Sequence, residues 1–482
     1  MGSGYSSLAS ASYLAQQGHE VTVFEKNSMI GGRARQWQKE GFVFDMGPTF
    51  YWMPDVFEKF FEDFGHKPSD YYELVRLDPG YEIYFGEKDS VPLSADFEKI
   101  VAVFEENEPG SGKFLRNFMK SAAYNYRVAM EKVVYKPGKS PMELVMPATA
   151  ARVFQFFSSL SGKVRRNIHN PKLRQMLEFP VIFLGAKPSQ TPAFYCFMNY
   201  ADMILGTWHV KGGMFEMING IKKMAESLGV KICTNSAVTE VVIRDKKITG
   251  VVVNGNFERA DAVVSGADYH HTESLLPRSY RNYSEKYWNK RVMAPSALLY
   301  YVAFDRKIDR ISHHTLFFDT EFSVHAEKIY DDPGWPESPL FYTSFPSVSD
   351  ERMAPEGKDA AVILIPVAAG LSDTPEIRDF YFNQVIERME RLTGQKLKDD
   401  ILFHESYAVS DFTRDYNAYQ GNAYGLSNIL LQTAFLKPKI YNKKVKNLFY
   451  AGQLTVPGPG VPPAVISGKI AAQLANDYLQ KC

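Results

Sequence analysis

The chain has little cysteine, no net charge and no long apolar run. Its 482 residues include three cysteines, which lie far apart at Cys196, Cys233 and Cys482. This spacing excludes a zinc finger, a thioredoxin-type motif and a disulfide framework, so we expect a reducing, intracellular setting. Lysine plus arginine number 55, as do aspartate plus glutamate, so the formal charge is zero. Because nucleic-acid binding calls for a basic excess, we expect no nucleic-acid partner.

Membrane-spanning and secretory signals are also missing. No stretch reaches the roughly 18 uncharged apolar residues of a spanning helix, and the start shows no basic and apolar leader. We therefore expect a protein that is neither integral to the membrane nor secreted by that route, although it could lie on a membrane surface. Repeats and low-complexity tracts are absent, which excludes solenoids and tails.

Length and aromatic content are the first positive signals. The chain is about three times the roughly 150-residue length of one typical domain. Aromatic residues make up 14% of the sequence, and all hydrophobic residues together make up 45%. This aromatic content could line a large apolar cavity, although ordinary core packing would also use it.

The first 25 residues have the pattern of a dinucleotide-binding βαβ unit. Gly2 and Gly4 form a turn before a helical pattern over residues 8–17, and a β-branched strand over residues 21–25 follows. Glycine lets the backbone approach a pyrophosphate, whose charge suits a helix N-terminus. A plain turn is the alternative interpretation of the glycines.

Two side chains bear on that motif. Glu25 lies at the end of the predicted strand, where its carboxylate can accept a hydrogen bond from an adenosine ribose. Ser7 stands at the third fingerprint position in place of glycine, so we expect slightly looser packing of the helix. The strand and Glu25 together favour the cofactor interpretation over the plain turn.

Two further glycine motifs follow. Residues 31–35 read Gly-Gly-Arg-Ala-Arg, which suits a second backbone approach at Gly32 with Arg33 near the pyrophosphate. A surface turn with solvated arginines is the alternative. Residues 45–48 read Asp-Met-Gly-Pro, and the turn around Gly47 is either a tight connection or a loop that faces the cofactor.

Residues 451–463 are the most informative stretch. A loop dense in glycine and proline follows a strand predicted over residues 447–453 and precedes a helix predicted over residues 462–479. Such a loop lets a flat ring lie against bare backbone, and Pro462 and Pro463 suit the first turn of the helix. The positive helix end would favour a reduced flavin, which carries negative charge on its pyrimidine side. A simple connecting loop is the alternative.

No other motif indicates a catalytic or metal-binding site. The pairs His270-His271 and His313-His314 have no acidic or cysteine partners at ligand spacing, so we predict no metal site. No Ser-His-Asp arrangement is evident either. The catalytic residues are therefore unassigned.

The remaining pattern predicts the architecture. Residues 50–220 are aromatic-rich and mainly helical in pattern, and residues 290–435 mix strands with a long helix near 375–393. Further strands are predicted at residues 230–233, 238–244, 248–254 and 262–264.

We predict an α/β fold with two domains. A Rossmann-like nucleotide-binding domain is assembled from residues 1–50, 215–275 and 440–482. A mixed α+β substrate domain consists of residues 51–214 and 276–439.

These motifs together resemble the bacterial-type phytoene desaturases, over nearly the whole chain. The matching runs are residues 2–4, 23–26, 31–34, 44–48, 206–208, 212–214, 266–268 and 452–462. Two positions depart from related flavoproteins: Ser7 replaces a glycine, and Gln453 stands where an acid often lies beside the ribityl chain. The Gln453 amide could still form a hydrogen bond there.

The resemblance implies bound FAD, a fold like the flavin-containing amine oxidases and stepwise dehydrogenation of phytoene, a C40 polyene, toward lycopene. A substrate carbon would give hydride to the flavin, a neighbouring carbon would lose a proton, and oxygen or a quinone would accept the electrons. The expected cofactor-binding residues are Gly2, Gly4, Ser7, Glu25, Gly32, Arg33, Gly47, Val238, Gly452, Gln453, Gly460 and Val461.

Other activities remain as alternatives. These are a related carotenoid desaturase, isomerase or saturase on the same fold, and a non-catalytic flavin- or lipid-binding protein. A hydrocarbon substrate offers no hydrogen-bonding groups, so we expect its site to be an apolar tunnel defined by shape.

Because such a substrate partitions into lipid, we expect a peripheral protein on the cytoplasmic face of the cell membrane. The predicted membrane patch is Val153, Phe154, Phe156, Phe157 and Leu160, with Arg152, Lys163, Arg165 and Arg166 nearby. A helix packed on the core explains this pattern about as well.

The chain begins directly at the glycine turn, since Met1 precedes Gly2. In a doubly wound sheet the strand before that turn is central, and each unpaired group left beside a gap would cost about 1–3 kcal/mol. We therefore predict that the first strand is missing, the alternative being that another segment fills the gap. Such a chain would hold FAD weakly, and an added upstream apolar strand would restore binding.

Overall fold

The computed structural model describes residues 1–144, 147 and 153–481. The strands in this part of the chain are β1 (Thr22–Phe24), β2 (Gln36–Lys39), β3 (Phe42–Asp45), β4 (Leu74–Arg76), β5 (Tyr81–Gly86), β6 (Asp89–Leu93), β7 (Trp208–Val210), β8 (Lys231–Cys233), β9 (Val238–Arg244), β10 (Lys247–Val253), β11 (Asn256–Arg259), β12 (Val263–Ser265), β13 (Ser296–Phe304), β14 (His314–Phe317), β15 (Phe341–Ser344), β16 (Asp359–Val367), β17 (Ile401–Tyr407) and β18 (Leu448–Tyr450).

The α-helices of the same residues are α1 (Tyr5–Gln16), α2 (Pro54–Glu62), α3 (Phe97–Asn107), α4 (Ser111–Val128), α5 (Val153–Phe157), α6 (Leu160–Arg165), α7 (Pro171–Ile182), α8 (Phe197–Tyr200), α9 (Phe215–Ser227), α10 (Tyr269–Ser274), α11 (Glu285–Trp288), α12 (Phe322–Tyr330), α13 (Pro375–Thr393), α14 (Val409–Tyr416) and α15 (Val461–Leu479). The mixture of strands and helices confirms the α/β class.

Parallel strands join distant segments at the end of the molecule that carries the predicted nucleotide-binding motifs, which we call the nucleotide end. Strand β1 pairs with β8, and β12 pairs with β18, both in parallel. The antiparallel ribbon β9–β10–β11 lies between them in the sequence. Early, middle and late parts of the chain thus meet as expected, while the exact domain limits stay a prediction.

Met1 and Gly2 lie between the two strand pairs. The Met1 amino group donates to Val264 O at 2.9 Å, and Gly266 N donates to Met1 O at 2.9 Å. On the other side, Gly2 N donates to Phe24 O at 2.8 Å. A short N-terminal segment therefore contacts β1 and β12, and the missing first strand stays a prediction.

Helices α1 and α15 cross closely beside these strands. Ser10 Oγ in α1 donates to Gly468 O in α15 at 2.8 Å. A side-chain carbon at Gly468 would overlap Ser6 O, so the crossing requires glycine at that position. Helix α1, near the start of the sequence, is therefore packed against α15, near its end.

A seven-stranded sheet lies outside the nucleotide end, with its strands in the order β17-β13-β16-β15-β14-β5-β6. Every residue of β13 is buried, because strands flank it on both sides and α13 contributes to the apolar core on the sheet. The predicted long helix at 375–393 is confirmed as α13. The prediction of a mainly helical region over residues 50–220 missed β5 and β6, which extend this sheet.

Helices α3, α4 and α6–α8, together with the apolar side chains of residues 50–56, form a second apolar core against the other face of this sheet. Among the described residues, no helix combines the length and apolar character needed to cross a bilayer.

Candidate functional site

A cavity of about 1360 Å³ runs between the nucleotide end and the seven-stranded sheet. Typical ligand pockets measure roughly 300–1,000 Å³. The wall of this cavity is polar at one end and strongly apolar at the other. Such a volume can hold a large cofactor and a long second molecule together.

The glycine turn forms one wall of the polar end. Gly2 has a φ of +80°, which favours glycine, and Gly4 immediately precedes α1. A side-chain carbon at Gly4 would have only Gly31 O within 4 Å among the described atoms, at 3.9 Å. The space beside Gly4 therefore belongs to the cavity and can admit a pyrophosphate at the helix N-terminus.

Glu25 lies buried in the same wall. Its carboxylate accepts hydrogen bonds from Ser3 N at 2.9 Å, Ser3 Oγ at 2.7 Å and Asn27 N at 2.9 Å. An ionised carboxylate offers about four acceptor positions, so capacity remains for a ribose hydroxyl. The position of Glu25 is as the sequence predicts, whereas the Ser3 and Asn27 donors carried no sequence signal.

Arg33 faces the cavity from the second glycine motif. Its Nη2 donates to Asn422 O at 3.0 Å, and its guanidinium lies 5.1 Å from the centre of the Tyr416 ring. Burial lowers the pKa of Arg33, and its buried Nε has no hydrogen-bond partner among the described residues. A buried cation with a free donor beside a glycine turn fits an anionic ligand.

Gly47 brings the loop of residues 45–48 against this arginine. A side-chain carbon at Gly47 would overlap Arg33 O, so the approach requires glycine. Gly47 and Pro48 line the cavity, while Asp45 lies behind it and accepts from Met214 N at 2.8 Å. Burial raises the pKa of Asp45 to about 6. The loop of residues 45–48 therefore forms part of the cavity wall, and the Asp45 hydrogen bond fixes it to the start of α9.

The C-terminal loop closes the opposite side of the polar end. Gly452 and Gly460 have φ angles of +102° and +110°, and both line the cavity. The Gln453 amide is best oriented with its oxygen toward Arg33 Nη2, at 3.1 Å. Val461 begins α15, so the positive end of a 19-residue helix meets the cavity.

The predicted cofactor residues line the cavity together, Val238 included, with the exception of Ser7. Ser7 Oγ donates to Met1 O at 3.2 Å and packs against Gly266, where a side-chain carbon would overlap that hydroxyl. The close packing that glycine would give at position 7 is thus obtained from glycine at position 266.

The histidine pairs hold no metal arrangement. His270 Nε2 contacts Glu285 Oε2 at 2.9 Å, and His271 lies at the cavity wall beside Asn417. Within residues 1–144, 147 and 153–481, no group of three histidine, cysteine or acidic side chains could hold a metal ion.

The other end of the cavity is apolar. Side chains from the helices, from the loop around residue 50 and from the seven-stranded sheet converge there. They include Phe50, Trp52, Met130, Val133, Phe179, Ile182, Phe183, Phe194, Phe197, Leu316, Phe318, Ile329, Leu340 and Leu364. Thr49 and Tyr342 supply hydroxyl groups to this wall, and sequence analysis had not selected either of them.

Comparison with known proteins places the chain in a family. The profile of the flavin containing amine oxidoreductases matches residues 6–476, so the chain belongs to that family. An oxidoreductase from Methanosarcina mazei shares the fold at 16% identity, with a TM-score of 0.62 and 98% of both chains covered. A putrescine oxidase does so at 15% identity, with a TM-score of 0.63 and 99% and 98% coverage.

Relatives of higher identity extend over nearly the whole chain. The carotenoid 3,4-desaturase of Haloarcula japonica is 39% identical over 477 residues, which are 98% of this chain and 96% of that protein. The 4,4'-diapophytoene desaturase (4,4'-diaponeurosporene-forming) of Staphylococcus haemolyticus is 32% identical, covering 98% and 97%. These relatives confirm the resemblance to bacterial-type desaturases.

The protein is therefore an FAD-dependent oxidoreductase, and its site fits that cofactor. Glu25 would hold the ribose, Gly4 and Arg33 the pyrophosphate, and the loop of residues 452–461 the ring. Bound flavin supplies the capacity to accept a hydride. The chain itself provides the orientation and a largely apolar second half of the cavity.

Proposed function

We propose that the protein desaturates a long carotenoid polyene. The observation that carries this proposal is the shape of the cavity: a cofactor-sized polar end continues into an aromatic and aliphatic tunnel. A hydrocarbon can be positioned in such a tunnel by shape and dispersion contacts alone. The names of the relatives support the same class of substrate.

The tunnel has two tasks in this reaction. Its aromatic walls exclude water, so that a reactive substrate is not intercepted during oxidation. They also hold an extended chain so that one carbon–carbon bond at a time lies beside the C-terminal loop. Stepwise desaturation then requires the substrate to slide along the tunnel, which a largely apolar wall permits.

The substrate within this class has two candidates. Desaturation of phytoene toward lycopene is the reaction that the motif resemblance implies. The 39% identical relative is a carotenoid 3,4-desaturase, which favours a more unsaturated carotenoid as the second candidate. The two differ in how many double bonds the substrate already carries when it enters the cavity.

Expression in two pigment backgrounds tests the proposal. The chain is expressed in cells that accumulate phytoene and in cells that accumulate lycopene, and extracted pigments are identified by absorbance and mass. A loss of two hydrogens per step with a red-shifted spectrum supports desaturation and names the substrate. Unchanged pigments despite flavin-loaded protein would refute it, and changed double-bond geometry or added hydrogens would indicate an isomerase or a saturase. Purified enzyme assayed with quinone or with oxygen identifies the electron acceptor.

We further propose that the mouth of the cavity lies on the cytoplasmic face of the cell membrane. Phe157 and Leu431 line the cavity and are 77% and 73% exposed. Phe154 and Met142 add apolar surface, at 84% and 69% exposure. A tunnel that opens among exposed apolar side chains can take a hydrocarbon directly from lipid.

The structure corrects the composition of the predicted membrane patch. Leu160 is fully buried and unavailable to lipid, and Phe156 is partly buried because its ring stacks on Phe194 with ring centres 4.6 Å apart. They pack inward because α5 and α6 present one face to the core. Lys163, Arg165 and Arg166 lie on the next helix or directly after it, while Arg152 and the side chain of Val153 lie outside the described part of the chain.

Liposome sedimentation tests the corrected patch. The double variant Phe154→Asp/Phe157→Asp should lose binding to anionic vesicles because two buried carboxylates would be costly in lipid. The matched control is Phe257→Asp/Phe380→Asp, whose aromatic rings are 56% and 58% exposed and do not line the cavity. Equal loss in both pairs, or in neither, would remove this surface from the proposal.

A further inference from the structure

A chain of buried polar side chains leads away from the apolar end of the cavity. Tyr342, on β15, lines the cavity, and its hydroxyl lies 2.6 Å from His314 Nδ1 and 2.8 Å from Thr49 Oγ1. The His314 ring stacks on Phe50 at 4.1 Å, which fixes its plane. The phenol is therefore held between a hydroxyl on one side and an imidazole behind the cavity wall.

Two more histidines and a carboxylate lie behind His314. The ring centres of His314 and His313 are 4.4 Å apart, and those of His313 and His209 are 4.7 Å apart. His209 Nε2 lies 3.2 Å from Asp350 Oδ2, and Asp350 is paired with Arg352, whose side chain is 55% exposed. No hydrogen bond joins these three rings among the described residues, so the hydrogen-bonded path from the cavity ends at His314.

The protonation states suit a proton acceptor. Burial lowers the pKa of His314 and of His313 well below the ordinary value, so both rings are neutral at pH 7. His313 Nδ1 and His314 Nε2 have no hydrogen-bond partner among the described residues. At the far end, burial raises the pKa of Asp350, but hydrogen bonds from His209 and Arg352 outweigh it and keep the group ionised.

We propose that Tyr342 and His314 accept the proton that the substrate loses during desaturation. This inference rests on the proposed function. One substrate carbon loses a hydride in the flavin-dependent oxidation, and the C–H bond of its neighbour breaks. The electrons of that bond form the new double bond, while the proton passes to the Tyr342 oxygen as the phenolic proton moves to His314 Nδ1.

A neutral base is sufficient for this step. As hydride leaves one carbon, the C–H group next to it becomes strongly acidic, so a weak acceptor within reach can take the proton in the same step. The tyrosine ends the step neutral and the charge moves to His314, outside the tunnel wall. The substrate is thus kept in an uncharged, apolar environment throughout.

Flavin reduction in single turnover tests the roles of Tyr342 and His314. Holoenzyme loaded with its polyene substrate under nitrogen should be reduced at least 100-fold more slowly in Tyr342→Phe, with equal FAD content and substrate affinity. His314→Asn keeps an acceptor near the Nδ1 position but cannot carry a proton, so it should be equally slow. Tyr300→Phe is the matched control. Tyr300 lies on the same sheet but does not line the cavity, and its hydroxyl donates to Arg378 O at 2.6 Å.

Two measurements separate proton transfer from a structural role. The wild type should show a solvent deuterium isotope effect on flavin reduction that Tyr342→Phe lacks, while FAD content and melting temperature stay unchanged. Nitrogen-15 NMR of histidine-labelled holoenzyme should show His314 neutral and protonated at Nε2. Protonation at Nδ1 would overturn the inference, because Tyr342 could not then donate to that atom.

The outcomes for the inference and for the proposed function are distinct. A wild-type enzyme that oxidises no carotenoid refutes the proposed function and this inference with it. A wild type that oxidises its carotenoid while Tyr342→Phe or His314→Asn retains the full rate refutes the inference alone.

Discussion

At the scale of single residues, two motif glycines lie where another part of the chain occupies the space of a side chain. At Gly47 that space holds the backbone oxygen of Arg33, so glycine is required, and at Gly266 it holds the hydroxyl of Ser7, which would have to move. The sequence could predict that these glycines matter, since their motifs are recognisable. It could not predict their partners, because Ser7 and Gly266 are 259 residues apart in the chain.

Glu25 gives a first prediction at this scale. In Glu25→Gln an acceptor oxygen becomes an NH2 group, so either a Ser3 donor or the ribose loses its partner. A hydrogen bond to a charged group contributes about 1.5–3 kcal/mol, so the dissociation constant for FAD should rise roughly 10- to 100-fold. Quenching of flavin fluorescence by apoprotein measures it. Glu405→Gln, at an exposed position on β17, should bind FAD like the wild type.

Lys437 gives a second prediction, on stability against pH. The side chain is buried, packs against Gly458 and has no hydrogen-bond partner for Nζ among the described residues. Burial lowers its pKa from 10.5 to about 7. Between these values the unfolded state binds the extra proton, so this group makes stability rise with pH across that window.

Replacement by methionine removes this dependence. Relative to Lys437→Met, the wild type should gain about 1.4 kcal/mol for each pH unit between 7.5 and 9.5, and the variant should be the more stable at pH 7. Urea unfolding at several pH values measures the difference. Lys443→Met, at an exposed position nearby, should run parallel to the wild type. A constant difference between wild type and Lys437→Met would contradict the lowered pKa.

At the scale of elements, sequence periodicity predicted the helices and strands that are determined by their own local sequence. The strand at residues 238–244, the helix at 375–393 and the final strand-loop-helix agree with the structure. Strands β5 and β6 were missed because they lie in an aromatic-rich stretch and are completed by β14, more than 200 residues away. Their identity depends on a partner that local periodicity does not reveal.

The crossing of α1 and α15 gives a prediction for an element. Gly468→Ala would place a carbon against Ser6 O and Ala9 Cβ, and forcing the helices apart should cost about 1–3 kcal/mol. Because both helix N-termini face the cavity, FAD affinity should fall as well. Thermal unfolding and flavin titration measure the two effects. Gln473→Ala, on the exposed side of α15, should change stability by less than about 0.5 kcal/mol.

At the scale of the whole molecule, the cofactor end is built from widely separated segments. The walls come from residues 1–34, 236–239, 266–271 and 451–464, which meet only in the folded chain. Paired glycine motifs at both chain ends made this end predictable. The apolar end carries no motif, because a hydrocarbon is recognised by shape. Tyr342 therefore gave no signal, and His314 was noted only as one of a histidine pair without metal partners.

This assembly leads to a prediction about cofactor removal. Since bound FAD would contact all of those segments, it should stabilise them together, by about 2.7 kcal/mol at 100 times the dissociation constant. Hydrogen exchange should slow on FAD addition in residues 1–34, 236–239 and 451–464, whereas β13 and α13 should exchange equally in both forms. Gly4→Val is the control, because its Cβ enters cavity space, where the nearest described atom from the rest of the chain is Gly31 O at 3.9 Å. That variant should fold, melt like apoprotein and show no FAD-dependent protection; protection spread evenly over β13 and α13 would contradict the assignment of this end of the cavity to the cofactor.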